Sequence, residues 1–453
     1  MKHFHLTTTR MIVFGFLPVI LAGTVLLMLP ICSVSGNSTS FSDALFTSTA
    51  SVSITGLMLL DTSAHWNFFG QFIILILIQC GGLGIITMTT YAMVLAGRKV
   101  SLKDRLLLQD SFNLNTMSGL VEFLLNIMKG TFIVEGIGTV CYMFAFVPEY
   151  GIKGIWFSVF MAVSAFCNAG IDVLGSQSLV PYAGNPWINV VTMLLVIVGG
   201  IGFIVWWDII GAIKKVYNKE IYRGRIFKSL SLHSKVVLVS STILIAGGAF
   251  LIFIIEYNNP ETIGNFNVPK KIMASLFQSV TSRSSGFFTI PQKGLRDASA
   301  MISMVLMFVG GSSVGTAGGV KTTTVAVLFI TAMCVVKGSE EISAFKRRIP
   351  IGTIRKALSV VLFSFIALLV VICLLSVVNG GDFMDVSYEA AAAITTSGLS
   401  RGYTDNLNQA GRIIVMICMY LGRVGPISMA IAFSEGGRKK PMIVYAEEDV
   451  TVG

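Results

Sequence analysis

The sequence predicts an all-α integral membrane fold, with eight full transmembrane helices and four re-entrant half-helices in four tandem span–half-helix–span repeats around one axis. Three observations predict it. Of the 453 residues, 54% are hydrophobic and only 12% charged, about half the charged share of an average soluble domain. The apolar residues run in long blocks, many reaching the ~20 residues that cross a hydrocarbon core. A short motif closing on glycine recurs at Gly56, Gly170, Gly286 and Gly398, at spacings of 114, 116 and 112 residues, and internal repetition outranks every other local signal.

The first repeat covers 11–97. Its first apolar block, 11–32, is too long for a signal-peptide core and has no small-residue cleavage site, so it reads as a retained span. Cys32 follows Leu29-Pro30-Ile31, which is not a lipidation context. A shorter apolar stretch at 41–52 is too short to cross and suits a re-entrant half-helix. It ends in Ser53-Ile54-Thr55-Gly56, and the span 68–96 follows, marked by Gly81-Gly82-Leu83-Gly84.

The second repeat, 98–213, opens with a basic loop at 98–118. Then come a span at 121–148, a half-helix at 154–166 and the cluster Cys167-Asn168-Ala169-Gly170. Its second span, 186–213, carries Gly199-Gly200-Ile201-Gly202. For these first two repeats the glycine marks read most simply as close helix packing.

The third repeat, 214–336, has a leading loop at 214–235, a span at 236–256, a half-helix at 271–281 and the cluster Arg283-Ser284-Ser285-Gly286. Its last block, 298–336, is too long for one straight crossing. Its middle is the run Gly310-Gly311-Ser312-Ser313-Val314-Gly315-Thr316-Ala317-Gly318-Gly319, followed by Val320 and Lys321. Such a run is a poor helix, since each glycine costs about 1 kcal/mol relative to alanine. A break in the span is expected there.

The fourth repeat, 337–434, has its loop at 337–356, a span at 358–378, a half-helix at 383–394 and the cluster Thr395-Thr396-Ser397-Gly398. The last span, 412–434, carries Gly422-Arg423-Val424-Gly425, and a tail follows at 435–453. Large residues precede each cluster glycine by ten positions: Phe46, Phe160, Leu276 and Tyr388. Gly310 and Gly422 each lie 24 residues after their cluster glycine, so the broken run and Arg423 should share one depth. A charge in mid-span is a functional candidate by default; the plainer alternative is an arginine that satisfies loop carbonyls.

The formal charge of +10 follows topology rather than a nucleic-acid partner. Segments 1–10, 98–118, 214–235, 337–356 and 435–453 hold 22 of the 33 Lys and Arg residues. The positive-inside rule puts these loops and both termini in the cytoplasm of a multi-pass plasma-membrane protein, where they also face anionic lipid.

Irregular backbone at membrane depth survives only when buried in protein or lining water. One turn of this composition alone would be an ordinary turn; four at matched positions point to a shared pore. Each half-helix would aim a partial charge of about −0.5 at the axis. The carbonyls after it would replace part of a cation's hydration shell, and glycine lets the backbone approach the ion. The sixteen cluster residues are therefore candidate cation ligands. Asp172 and Glu389 are either further attractors of cations or simply solvated charges at helix ends.

Rival classes fit less well. Substrate-carrying transporters often use two inverted repeats with broken spans, whereas these four repeats share one orientation. A catalytic serine needs a base in reach, and His3, His5, His65 and His233 all lie at termini or span ends. The run 315–322 brushes a phosphate-loop pattern but has Val320 before the lysine and no preceding strand. The seven cysteines are scattered without metal-ligand spacing. No enzyme activity, cofactor or resident metal beyond the transported cation is expected.

The repeat resembles the superfamily of Trk, Ktr and HKT potassium transporters, and most closely the Ktr membrane subunits (KtrB). The likeness rests on the four cluster glycines, the marks at 81–84, 199–202 and 422–425 with Pro426, the run 313–321, and the short tail ending at Gly453. It implies potassium uptake through a filter formed by the clusters, with glycine at the first filter position as in potassium-preferring members. It implies an intramembrane gate made of Gly310, Gly311, Ser312, Ser313, Gly315, Thr316, Ala317, Gly318, Gly319 and Lys321, held by Arg423. It also implies a homodimer on a cytoplasmic nucleotide-binding ring of the RCK type, with sodium as an activating ion in many systems.

Overall fold

The computed structural model describes residues 8–98, 100–111, 119–339 and 341–425. The expected tail at 435–453 and the end of the last span, from 426 on, lie outside the described residues, as do 112–118 of the first basic loop. Within the described residues the chain is helical apart from its connections and a two-residue hairpin pairing Ser343–Ala344 with Arg347–Arg348.

The first unit runs α1 (Thr8–Leu27), α2 (Phe41–Val52), α3 (Phe68–Leu83) and α4 (Ile85–Leu95). Pro30 ends the first span early by starting a one-turn 3-10 segment, since proline cannot continue the helical bonding. The second unit runs α5 (Leu120–Tyr150), α6 (Lys153–Phe166), α7 (Pro186–Gly200) and α8 (Phe203–Tyr217). The third has α9 (Leu232–Glu256), α10 (Val268–Thr281), α11 (Asp297–Phe308) and α12 (Thr322–Val336). The fourth has α13 (Ile351–Val378), α14 (Phe383–Ile394) and α15 (Gln409–Val424).

The half-helices α2, α6, α10 and α14 span 12 to 14 residues. Three of them start on side-chain caps, where Ser40, Asn267 and Asp382 accept backbone N–H bonds, which satisfies donors that the first turn leaves free. Their flanks are dry: Phe46, Phe160 and Tyr388 are fully buried. In the third unit the buried ring is Phe277, while Leu276 at the expected position sits half-buried.

Helices α5, α9 and α13 are each long and apolar enough to cross a membrane alone. The second spans of the first two units are present but bent, by 103° between α3 and α4 and by 98° between α7 and α8. Their glycine marks thus do more than pack. Gly84 and Gly202 take φ of 85° and 96°, a region closed to most side chains, and Gly425 at the end of α15 has φ 90°. The expected break in the third unit is there: α11 stops at Phe308 and α12 starts at Thr322.

The units close on themselves. Each half-helix packs against its own flanking spans and against the second span of the unit before it: α6 on α3, α10 on α7, α14 on α11, and α2 on α15. An ion pair 2.9 Å long between Arg412 on α15 and Asp43 on α2 joins last unit to first. The outward faces are apolar, with Leu21, Phe144, Phe250 and Leu369 exposed, while serines and threonines such as Ser48, Ser51 and Thr281 lie inside. Large apolar residues outside and small polar ones within are the pattern of a protein solvated by lipid.

Candidate functional site

The four clusters meet at the centre of this ring. In three units the end of the half-helix forms the same cap. Thr55 N bonds Ala50 O and Ile54 N bonds Ser51 O; Ala169 and Asn168 repeat the pair, as do Ser397 and Thr396. These crossed bonds form a Schellman motif, which turns the chain sharply through one left-handed residue. That residue is not glycine: Ile54, Asn168 and Thr396 have φ of 51°, 58° and 51°, and Ser284 matches them at 66°. Left-handed backbone at a β-branched residue costs about 1–2 kcal/mol, and strain of this kind gathers at functional sites.

The fourth residue of each cluster is left-handed too, with φ of 85°, 68°, 88° and 73° at Gly56, Gly170, Gly286 and Gly398. Here glycine is required twice over. A Cβ on Gly56 would collide with Ala169 O, one on Gly170 with Ser285 O, and one on Gly398 with Thr55 O. One on Gly286 would press on Gly170 Cα at 2.8 Å and on Ser397 O at 3.2 Å. The contacts run from first unit to second, second to third, third to fourth and fourth to first. The carbonyl oxygens of Thr55, Ala169, Ser285 and Ser397 thus take part in one closed ring of contacts between neighbouring units. Among the described residues no hydrogen bond reaches any of the four. Buried carbonyls are almost always paired, so a ring of unpaired ones suits a partly dehydrated cation.

One side of the ring opens into a cavity of about 440 Å³ that touches all four glycines. Its wall holds Asp61, Asp172 and Asp405. Burial pushes the Asp172 carboxyl up to about 6, against a backbone hydrogen bond from Leu174 that favours the charged form. Asp61 and Asp405 were not legible as site residues, because nothing in their neighbourhood repeats. Glu389 is neither a solvated charge nor a wall residue: it is fully buried and accepts from Ser400 and Thr404.

The other side is occupied by the run 310–321. Thr316 Oγ1 donates to Phe166 O, at the end of α6, and to Asn168 Oδ1 in the second cluster. A Cβ on Gly318 would strike Thr396 of the fourth cluster. Ser312 N and Thr316 N bond the carbonyls of Gly200 and Gly199, and Phe203 N bonds Val314 O, so the run lies along the bend of the second unit. Gly315 fits there because a Cβ would sit 3.1 Å from Gly199 O. Ser313 Oγ pairs with Thr323 Oγ1 at 3.0 Å, and Lys321 Nζ turns inward to Ala317 O at 2.6 Å.

Arg423 meets the run directly. Its guanidinium donates to Thr316 O at 2.7 Å, to Gly82 O at 3.0 Å and to Gly81 O. Gly81, Gly199 and Gly422 each press on the carbonyl of the last half-helix residue, Val52, Phe166 and Ile394, so the first glycine of these marks does serve close packing. Cys167 also has neighbours that the sequence did not announce: its Sγ lies 3.4 Å from Gln79 Oε1, and Gln79 Nε2 donates to Glu135. Arg283 differs from its counterparts Ser53, Cys167 and Thr395 in carrying a long side chain, and that side chain turns away from the ring toward Gly310 and Thr322.

Residues 7–439 match the family described as cation transport protein, TrkH. The chain is 37% identical to the potassium/sodium uptake protein NtpJ of Enterococcus hirae, over 99% of this chain and 98% of that protein. It is 34% identical to the Ktr system potassium uptake protein B of Bacillus subtilis, over 100% and 98%. Its counterpart in Vibrio alginolyticus is 32% identical over 98% and 94%. Among solved structures, the potassium transporter TrkH from Vibrio parahaemolyticus superposes with a TM-score of 0.76 over 96% of this chain and 86% of that one; at 14% identity the likeness speaks for the fold alone.

Proposed function

The chain belongs to the TrkH family of cation transport proteins, and from that premise we propose that it takes up potassium as the ion-conducting subunit of a Ktr-type system. The observation that carries this reading is the closed ring of four carbonyls, Thr55, Ala169, Ser285 and Ser397, unpaired among the described residues and each set against the glycine of the preceding unit. In this reading the ring is the selectivity filter. A potassium ion sheds water in the 440 Å³ vestibule, exchanges it for carbonyl oxygens, and gains from four half-helix C-terminal ends.

The run 310–321 is the gate. It sits under the filter, touches the second and fourth clusters, and is held by Arg423. The vestibule faces outward and the basic loops face the cytoplasm, in keeping with their charge. There they receive a nucleotide-binding RCK-type ring, and two copies of the chain share it, each with its own pore. Full-length similarity to a subunit named as part of a Ktr system supports such a partnership. A name that pairs potassium with sodium in another relative supports sodium as a second or activating ion.

The test is complementation followed by flux. A strain without potassium uptake systems should grow at limiting potassium when it carries this chain, and better when the ring is supplied. In reconstituted vesicles potassium should outrank sodium, with sodium added on either side to read activation. Uptake of an organic solute with no ion current would replace this reading by that of a substrate carrier.

A further inference from the structure

Arg283 is the residue whose surroundings the filter role does not explain. Its side chain is nine-tenths buried, and among the described residues no carboxylate pairs with it. Nη2 donates to Thr322 Oγ1 at 2.9 Å and, less closely, to Gly310 O and to Ser241 Oγ on α9, both at 3.3 Å. Gly310 and Thr322 are the two feet of the run beneath the ring. The same feet are cross-tied to each other: Thr322 Oγ1 donates to Gly310 O at 2.8 Å, Thr322 N to Gly311 O at 3.0 Å and Val320 N to Phe308 O at 3.2 Å.

A purely structural arginine would serve any of the units, yet the matched positions hold Ser53, Cys167 and Thr395. In those units the first glycine of the mark presses directly on the end of its half-helix. In the third unit a Cβ on Gly310 would instead strike Gly318 O of the loop itself, with Ser284 Oγ 3.1 Å away, and it is Arg283 that reaches from the cluster to Gly310 O. The long side chain thus occurs in the one unit where the loop interrupts the span. Its backbone is tied the other way. Arg283 N bonds Val280 O on α10, and the next residue, Ser284, donates to Thr395 O of the fourth cluster at 3.2 Å. Arg423 grips the loop near its tip, at Thr316, and among the described residues Lys321 hydrogen-bonds within the loop, to Ala317 O. Of these three cations it is Arg283 that reaches the stem.

We propose that Arg283 is a positioning residue that locks the loop's stem to the third and fourth clusters, so that the stem sets ion preference as well as flux. This rests on reading the clusters as filter and the loop as gate. A shift of the stem pulls on the guanidinium, and the guanidinium displaces Ser284 and Ser285, whose carbonyls stand at or beside the ring. Loop and filter then act as one coupled element rather than as two constrictions in series.

The test uses the full chain in vesicles, reading potassium flux, sodium flux and their ratio. Thr322→Val keeps the shape of the stem and removes the hydroxyl, at a residue outside every cluster. Losing one hydrogen bond to a buried charge should lower the potassium-to-sodium ratio about three- to tenfold. Arg283→Lys, whose side chain is one atom shorter and carries its charge on a single ammonium in place of the guanidinium whose Nη2 reaches Thr322 and Gly310, should fall by a similar factor. The double variant should be no worse than the single ones, because both remove one contact. Thr322→Ser should keep the native ratio, and Thr322→Ala stands in should the valine variant not assemble. A changed ratio in Arg283→Lys with a native ratio in Thr322→Val would make Arg283 a prop of its own cluster and overturn the coupling. So would altered flux at constant ratio in both, or additive losses. Failure of the filter reading shows separately, as a native ratio in all four of Gly56→Ser, Gly170→Ser, Gly286→Ser and Gly398→Ser.

Discussion

Thr316 Oγ1 donates to Asn168 Oδ1 across 3.0 Å, joining the loop to the second cluster through side chains 148 residues apart in the chain. With Arg423 on the Thr316 carbonyl, one residue is thus held from both sides. Deleting 312–318 should remove this plug, so potassium flux in vesicles should rise about tenfold, the scale set by losing one or two hydrogen bonds to a charged group, and control by the ring should weaken. Arg423→Ala should move flux the same way by a smaller factor, since the loop keeps its backbone bonds to Gly199 and Gly200. Native flux and native regulation in the deletion variant, at normal surface level, would sink the gate.

Selectivity should respond to each cluster glycine. Gly56→Ser, Gly170→Ser, Gly286→Ser and Gly398→Ser all place a side chain where φ is positive and where a neighbouring unit's carbonyl or glycine already sits. Backbone strain of about 1–2 kcal/mol per position corresponds to roughly a tenfold loss of potassium preference over sodium when it falls on the ligating carbonyls. Gly286 has the loosest contacts of the four, so its variant should retain the most discrimination. An unchanged ion ratio in all four variants would refute the filter.

Much of this was legible because it repeats. Four clusters at near-constant spacing gave the ring, and a glycine-rich run in an overlong span gave the break at 309–321. The bends at Gly84 and Gly202 were not legible: a glycine in an apolar block reads as helix packing, and only the positive φ distinguishes a hinge. Arg283 was read by its backbone, since a cluster position says nothing about which way a long side chain turns. Asp61 and Asp405 reach the vestibule through loops of unequal length, where periodicity carries no information.

The basic loops should matter for assembly rather than for conduction. Loops 98–118, 214–235 and 337–356 carry clusters such as Lys214-Lys215 and Lys346-Arg347-Arg348, and the last forms a hairpin whose Phe345 packs on Phe227 of the preceding loop. Two of the three loops therefore present one surface. Replacing Lys346, Arg347 and Arg348 by glutamine should weaken ring binding about tenfold in a pull-down titration, at moderate salt where surface charges still act over about 8–10 Å. Undiminished binding when each loop in turn is neutralised, in correctly inserted protein, would leave these charges to lipid and topology alone.

The vestibule should make uptake sensitive to external pH through Asp172. An ordinary aspartate titrates near 3.9, but burial holds this one at about 6. The sign follows from the raised value: the neutral acid prevails below about pH 6 and the carboxylate above it. Asp61 and Asp405 share the cavity wall and add to the field that Asp172 completes. Between about pH 7.5 and about pH 5.5 the vestibule should lose most of one negative charge, worth about 1 kcal/mol over a few ångströms even at the dielectric constant of water. Potassium uptake at subsaturating concentration should then fall about three- to fivefold, through apparent affinity rather than maximal rate. Asp172→Asn should start at the low value and stay flat across the same range. The measurement is the initial uptake rate against external pH at two potassium concentrations. A profile for Asp172→Asn that still bends near pH 6 would assign the titration to another group.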